Sequence, residues 1–301
     1  MTKILVTGAN GLLGQKLTLL LSNDPEVEVI ATTRSKLNYA LPKGRFEKLD
    51  ITKVEQVVDV ISTVRPDVVI HTAAMTQVDQ CETEQAACWL NNATAVEYVV
   101  KACEKTSAHL IHVSTDFIFD GSYGPLEESA KPNPISYYGR SKLEGEEIVQ
   151  KSKLSWAILR TVLVYGVTKD MTRSNIVLWV KKSLEEGKSI NVVNDQWRTP
   201  TLAEDLAIGC MLAAKKRAMG IYHISGAEMM TPYDIAIRTA NFFHLDKDLI
   251  KATDSTQFRQ AARRPPKTGF IIDKAKRELG FKPHSFEEGL GVIKTQIQIT
   301  Q

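Results

Sequence analysis

With 301 residues, 43% of them hydrophobic and 24% charged, the chain is long enough for one large or two modest cores, and its composition excludes disordered, fibrous and disulfide-built classes. Its formal net charge of +3 is spread along the chain, which excludes the concentrated basic footprint of a nucleic-acid binder. Cys81, Cys88, Cys103 and Cys210 show neither C-x-x-C pairing nor zinc-ligand spacing, and no apolar run reaches about 18 residues. Reduced thiols, no metal site, no membrane contact and a cytoplasmic location are therefore expected.

The first apolar run, "KILVTG", leads into "VTGANGLLGQ", where Gly8, Gly11 and Gly14 are spaced G-x-x-G-x-x-G ahead of an amphipathic stretch "LLGQKLTLLLSN". Glycines between a strand and a helix allow a tight turn and close approach of backbone to a pyrophosphate, while the helix N-terminus offers unpaired N–H groups to the anion. Asn10, Leu12 and Leu13 fill the turn and join the candidate cofactor contacts. The next run, "VEVIATT", ends on Arg34 where an NAD-binding version of this turn carries an acid. A guanidinium can hold the 2′-phosphate of NADP bidentately, so NADPH is predicted over NADH, with a solvent-facing Arg34 as the plain alternative. In "KLDIT", Asp50 and Ile51 either reach the adenine or, for Asp50, cap the helix expected over "KVEQVVDVISTV".

Farther on come "DVVIHTAA", a helical pattern over "AACWLNNATAVEYVVKACEKT", and the run "HLIHVSTDFIF". Pro132 and Pro134 place the start of the next helix within "ISYYGRSKLEGEEIVQ", where Tyr138 and Lys142 fall on one face and Tyr137 pairs by spacing with Ser141 instead. An ammonium about 4 Å from a phenol, at an effective dielectric of about 20, favours phenolate by roughly 4 kcal/mol, or about three pKa units. Tyr138 is thereby expected to be acidified for proton transfer.

After "WAILRTVLVYG" the rhythm loosens: a helix near "SNIVLWVKKSLEEG", a loop "VVNDQWRTPT", a strand "IYHIS", helices near "TPYDIAIRTANFF" and "DKAKRELG", and an irregular "ARRPPKTG". Continuous apolar strands alternating with helices predict an α/β protein with a Rossmann-type doubly wound parallel sheet. The cofactor domain is expected over residues 1–165, also receiving a strand and helices from about 195–225, with 166–301 forming mainly a smaller C-terminal substrate-binding lobe. His71, His109, His112 and His223 sit in or beside apolar strands and are expected to be hydrogen-bonded core residues.

"TGANGLLG", "HTAAMTQVD", "LNNATAVE", "VSTDFIFDG" and Tyr138-Gly-Arg-Ser-Lys142 resemble, in order and spacing, the extended short-chain dehydrogenase/reductases. The pattern is most similar to their dTDP-4-dehydrorhamnose reductase branch, also through "NDQWRTPT". The resemblance implies that Tyr138 donates a proton to a substrate carbonyl oxygen. By the same resemblance Lys142 holds the nicotinamide ribose and lowers the tyrosine pKa, and Thr115 orients the carbonyl. It also implies that Ala73, Ala74 and Met75 line the cofactor, that Asn92 is structural, and that Thr76 and Val78 face the sugar of a nucleotide-sugar substrate.

Relatives that dehydrate such sugars carry an Asp-Glu pair after the active-site threonine. Here Asp116 is followed by Phe117, so reduction is expected and dehydration is not. Two positions depart from the reductase pattern: Arg198 replaces a glycine and Leu163 a tryptophan. Arg198 either grips the substrate diphosphate or faces solvent, with Arg263 and Arg264 as further phosphate candidates. An epimerase or reductase acting on another nucleotide-linked sugar, and a non-catalytic NADP-binding regulatory subunit like that of methionine adenosyltransferase, are the competing readings. A homodimer is one candidate assembly.

Overall fold

The computed structural model describes residues 1–169, 175–258 and 260–300, the side chains of 299 and 300 excepted. Ser174, the first residue of the helix expected near "SNIVLWVKKSLEEG", lies outside the described residues. In chain order, strands β1 (Thr2–Thr7), β2 (Val27–Thr33), β3 (Arg45–Lys48), β4 (Val68–His71), β5 (His109–Thr115) and β6 (Trp156–Thr161) alternate with helices. The helices are α1 (Leu12–Ser22), α2 (Val54–Val64), α3 (Val78–Thr83), α4 (Gln85–Trp89), α5 (Ala95–Thr106) and α6 (Tyr137–Lys151). The C-terminal half adds β7 (Val164–Tyr165), α7 (Ile176–Glu185), β8 (Ile190–Val193), β9 (Thr201–Leu202), α8 (Ala203–Lys215), β10 (Gly220–His223), α9 (Pro232–Phe243), β11 (Ile250–Thr253) and α10 (Phe286–Thr300).

Seven strands form one parallel sheet in the order β10-β6-β5-β4-β1-β2-β3, so the fold is a doubly wound, Rossmann-type α/β sheet. Strands buried on both faces explain the continuous apolar runs. Along β1, Ile4 and Val6 join one core with Leu17, Ile70, Leu206 and Ala213, while Leu5 points to the opposite core with Ile30, Val57, Val69 and Val99. Helix α8, from the C-terminal half, packs beside α1 on the first face, and α2 and α5 cover the second. The remaining C-terminal segments build a lobe around two short parallel pairs, β8 with β11 and β7 with β9. Cores containing Tyr165, Phe286 and Ile293, and Val180, Ile190 and Ala240, hold it together.

The strand order reverses between β1 and β4, each continuing outward on its own side of the sheet. Such a switch point opens a crevice at the carboxyl ends of the strands. Two expected elements are interrupted. The run "HLIHVSTDFIF" leaves the sheet at Thr115, whose Oγ1 accepts the Phe117 N–H at 3.2 Å and starts a short 3₁₀ turn over Asp116–Ile118. The helix over "AACWLNNATAVEYVV" contains a π-helical turn, Leu90–Thr94, that carries Asn92.

Candidate active site

The glycine turn leaves β1 at Gly8, whose φ of +73° suits glycine alone, and enters α1 at Gly11. A Cβ at Gly14 would lie 2.2 Å from the Gly8 carbonyl oxygen and 2.7 Å from Ala9 Cα, so helix and turn are packed backbone on backbone. No side chain caps the N-terminus of α1, and no acid occupies its first turn. Its leading N–H groups are thus free for an anion, and this cradle fits a dinucleotide pyrophosphate.

Gly8, Gly11, Leu12, Leu13 and Gly14 line a cavity of about 870 Å³. Thr115, Tyr138 and Lys142 line it too, together with Ala74, Thr76, Val78, Leu163 and Arg264. Thr115 arrives at the end of β5 and the other two from the first turns of α6. Ser136 caps that helix by accepting the Gly139 N–H at 3.1 Å. Gly139 lets the helix lie flush on the preceding turn: a Cβ there would be 2.1 Å from the Phe117 carbonyl oxygen. One turn further along α6, Glu146 forms a fully buried bidentate pair with Arg160 of β6, 2.7 Å at its shortest.

Tyr138 is 7% exposed, with Phe117 packed edge-on against its ring at 5.6 Å. Burial raises its pKa well above the ordinary phenol value; the Thr115 hydroxyl pulls the other way and the Asp116 carboxylate adds to the rise. This corrects the expectation of an acidified phenol. The Lys142 ammonium is engaged elsewhere, donating to the Val113 carbonyl at 2.8 Å and lying 3.4 Å from His112 Nε2. Burial lowers Lys142 itself to about 8. The phenol is consequently a neutral O–H, the form a proton donor requires.

Arg198 requires a second correction. It is 4% exposed, and its guanidinium donates to the carbonyls of Trp197 (2.8 Å), Pro265 (2.6 Å) and Pro266 (3.3 Å). Its Nε stands 3.7 Å from Asp116 Oδ2. It does not line the cavity, so it holds its own loops and Asp116 together rather than gripping a diphosphate. Asp116 is likewise bound from all sides, by Arg198, by Thr268 and by Thr115 Oγ1 at 3.1 Å. Burial nevertheless raises its pKa.

The other expected residues fall in several places around the groove. Asn10 donates to Ser35 Oγ (3.2 Å) and the Lys36 carbonyl (2.9 Å) and accepts from Asn38 N–H, so it ties the glycine turn to the loop that carries Arg34. Arg34 is exposed. Asp50 accepts from Thr52 N–H (3.0 Å) and Oγ1 (2.7 Å), closing a tight turn; the N-cap position of α2 is Lys53, which makes no side-chain capping bond. Ile51 is buried with Val57 and Leu49. Ala73 backs directly onto Gly8, and the Asn92 side chain clamps Met75 by both its N–H (2.8 Å) and carbonyl (2.9 Å). Arg263 is exposed, whereas Arg264 reaches the cavity and pairs with Asp79 at 2.6 Å. Sequence reasoning missed Asp79 and the buried, cavity-lining Ser114, whose hydroxyl has no partner among the described residues. Adjacency to Thr115 was the one signal available for Ser114.

The model of the RmlD substrate binding domain matches residues 1–299. A dTDP-4-dehydrorhamnose reductase of Aggregatibacter actinomycetemcomitans is 30% identical over 306 residues, covering 98% of this chain and 99% of that one. Methionine adenosyltransferase 2 subunit beta of Xenopus tropicalis is 33% identical over 248 residues, 81% of this chain and 72% of that protein. The crystal structure of a dTDP-4-dehydrorhamnose reductase from Bacillus anthracis in complex with NADP superimposes with a TM-score of 0.85 at 29% identity, covering 98% of this chain and 100% of that chain.

Proposed function

We propose, from the premise that the chain belongs to the RmlD substrate binding domain family of extended short-chain dehydrogenase/reductases, that it is an NADPH-dependent reductase of a nucleotide-linked 4-keto-6-deoxy sugar. The observation that carries this reading is that one cavity is lined both by the glycine cradle and by Thr115, Tyr138 and Lys142. A bound NADPH supplies the hydride for the carbonyl carbon. Tyr138 gives its phenolic proton to the carbonyl oxygen, which the Thr115 hydroxyl orients. Lys142 holds the nicotinamide ribose and stabilises the tyrosinate left behind.

Phe117 presents an apolar ring where a dehydrating relative has a carboxylate, and Asp116 is spent on Arg198, Thr268 and Thr115. No second acid–base pair faces the sugar among the described residues, which favours simple reduction over loss of water. Lys142 and Arg264 are the cations on the described lining, and Arg264, released from Asp79, is the one suited to a substrate diphosphate. Thr76 and Val78 contact the sugar in this reading.

The test follows NADPH oxidation with a panel of nucleotide-linked 4-keto sugars. Tyr138→Phe is expected to lower kcat by about 10²- to 10⁴-fold with NADPH affinity retained. Unchanged turnover removes Tyr138 from the mechanism. The similarity to methionine adenosyltransferase 2 subunit beta favours a second reading, a non-catalytic NADP-binding partner of another enzyme. It gains if NADPH binds and no sugar supports its oxidation.

A further inference from the structure

Lys142 enters the interior beside two histidines that the proposed reaction leaves without a role. His112, on β5, is fully buried, and its Nε2 lies 3.4 Å from the Lys142 Nζ. Gly145, on the same helix as the lysine, lets that helix lie close on Asn92: a Cβ there would stand 2.6 Å from the Asn92 carbonyl oxygen, and in ordinary contact, 3.4 Å, with His112 Nε2. His71 is the Cα partner of His112 on the neighbouring strand β4, and the rings stack with centroids 5.5 Å apart and planes 21° apart.

The hydrogen-bond network assigns both tautomers. Thr7 Oγ1 already accepts the N–H groups of Thr72 (3.1 Å) and Ala73 (3.2 Å), so its own hydrogen goes to His71 Nδ1 at 2.8 Å and the ring proton sits on Nε2. An ammonium has only hydrogens to offer, so His112 Nε2 must present its lone pair to Lys142 and carry its proton on Nδ1. Both rings are neutral, their pKa values depressed by burial and by the Lys142 charge. A neutral acceptor beside the ammonium favours the charged lysine, whereas a protonated ring would repel it.

We propose that His112 is the positioning residue of Lys142, accepting from its ammonium through Nε2 and fixing it together with the Val113 carbonyl, while His71, anchored on Thr7, holds the His112 ring in place. The charged and titratable groups around Lys142 are Tyr138 and Glu146 on α6, Cys88 on α4, His112 on β5 and His71 on β4. Glu146 and Cys88 also favour the cation, opposing the burial that lowers it to about 8. The consequence for catalysis rests on the proposed function; the effect on the ionisation of Lys142 does not.

The ionisation is therefore read directly. NMR of the ¹³Cε signal of Lys142 in lysine-labelled protein is followed from about pH 6 to about pH 10, with Lys142→Met supplying the assignment. His112→Leu, which removes the acceptor, is expected to lower the Lys142 midpoint by roughly half to one pH unit, while His112→Gln, which offers an amide oxygen, stays near the wild-type value. Circular dichroism checks that both variants fold. The same pair is then compared for NADPH dissociation constant against pH, where His112→Leu is expected to lose affinity at a correspondingly lower pH. An equal midpoint in wild type and both variants, or an equal shift in the two variants, overturns the proposal. A midpoint shift confined to His112→Leu in a protein that fails to bind NADPH supports His112 as the lysine's partner and counts against the proposed function alone.

Discussion

Acidification from pH 7.5 to 5.5 should strip the fold of at least about 4 kcal/mol of stability through three buried imidazoles, and His112, held neutral as well, adds to the loss. His71 and His223 are held neutral with pKa values of about 3, and His109 with a value of about 4, burial being the leading cause for each. All three are at most 1% exposed. Each ring is anchored, His71 to Thr7 at 2.8 Å, His109 to Ser155 at 2.6 Å and His223 to the Leu126 carbonyl at 3.1 Å; the bond to Leu126 favours a charged ring, and burial outweighs it. The unfolded chain has histidines near 6.5. Each folded value lies below the unfolded one, so the unfolded state takes up protons first. The stabilising contribution is complete above about pH 6.5 and is lost as pH falls toward the folded values. At pH 5.5 each ring accounts for about 1.4 kcal/mol, a large total against the 5–15 kcal/mol typical of a folded protein. Asp116 and Asp205, whose burial raises their pKa values, oppose this trend, chiefly below about pH 5. Urea unfolding followed by tryptophan fluorescence at the two pH values measures the difference. His223→Phe, whose ring keeps the stack on Phe270, should shrink the pH-dependent loss by about 1.4 kcal/mol. Equal or greater stability at pH 5.5 would refute the assignment of these rings as neutral.

Gly14→Ala places a methyl 2.2 Å from the Gly8 carbonyl oxygen, so NADPH affinity should fall at least about tenfold in a fluorescence titration while the far-ultraviolet spectrum is retained. Arg198→Met leaves the Asp116 carboxyl buried beside a lost cation. It should cost about 3–5 kcal/mol in urea unfolding, and the Michaelis constant for the sugar should change little where the variant folds. Arg34→Ala should raise the Michaelis constant for NADPH and leave that for NADH nearly unchanged; a wild-type preference for NADH would remove Arg34 from cofactor selection.

The glycine turn, the parallel strands and the Tyr138–Lys142 spacing were legible because each is a local pattern tied to one backbone geometry. Arg198 was misread for the opposite reason. Next to "TPT" it looks like a cation in a substrate loop, and only the folded chain brings Asp116 against it and closes the loop of Pro265 and Pro266 over it. The expected acidification of Tyr138 used the four-residue helical spacing correctly but took Lys142 to be free, whereas β5 supplies Val113 and His112 as its partners. The Asp79–Arg264 pair joins positions 185 residues apart and leaves no trace in either local segment. The π-helical turns at Leu90–Thr94 and Ala275–Leu279 break the 3.6-residue rhythm within runs that otherwise read as continuous helix.

The contact between Gly139 and the Phe117 carbonyl makes the alignment of Thr115 with Tyr138 a property of the main chain. Side chains around the cavity can drift or be exchanged without resetting the alignment of these two hydroxyls. The vulnerability is concentrated in return: a single methyl at position 139 would pry helix from turn, whatever the substrate. Retargeting this scaffold by design is therefore a matter of repainting the walls around Thr76, Val78 and Leu163 while leaving the seam between α6 and the Thr115 turn untouched.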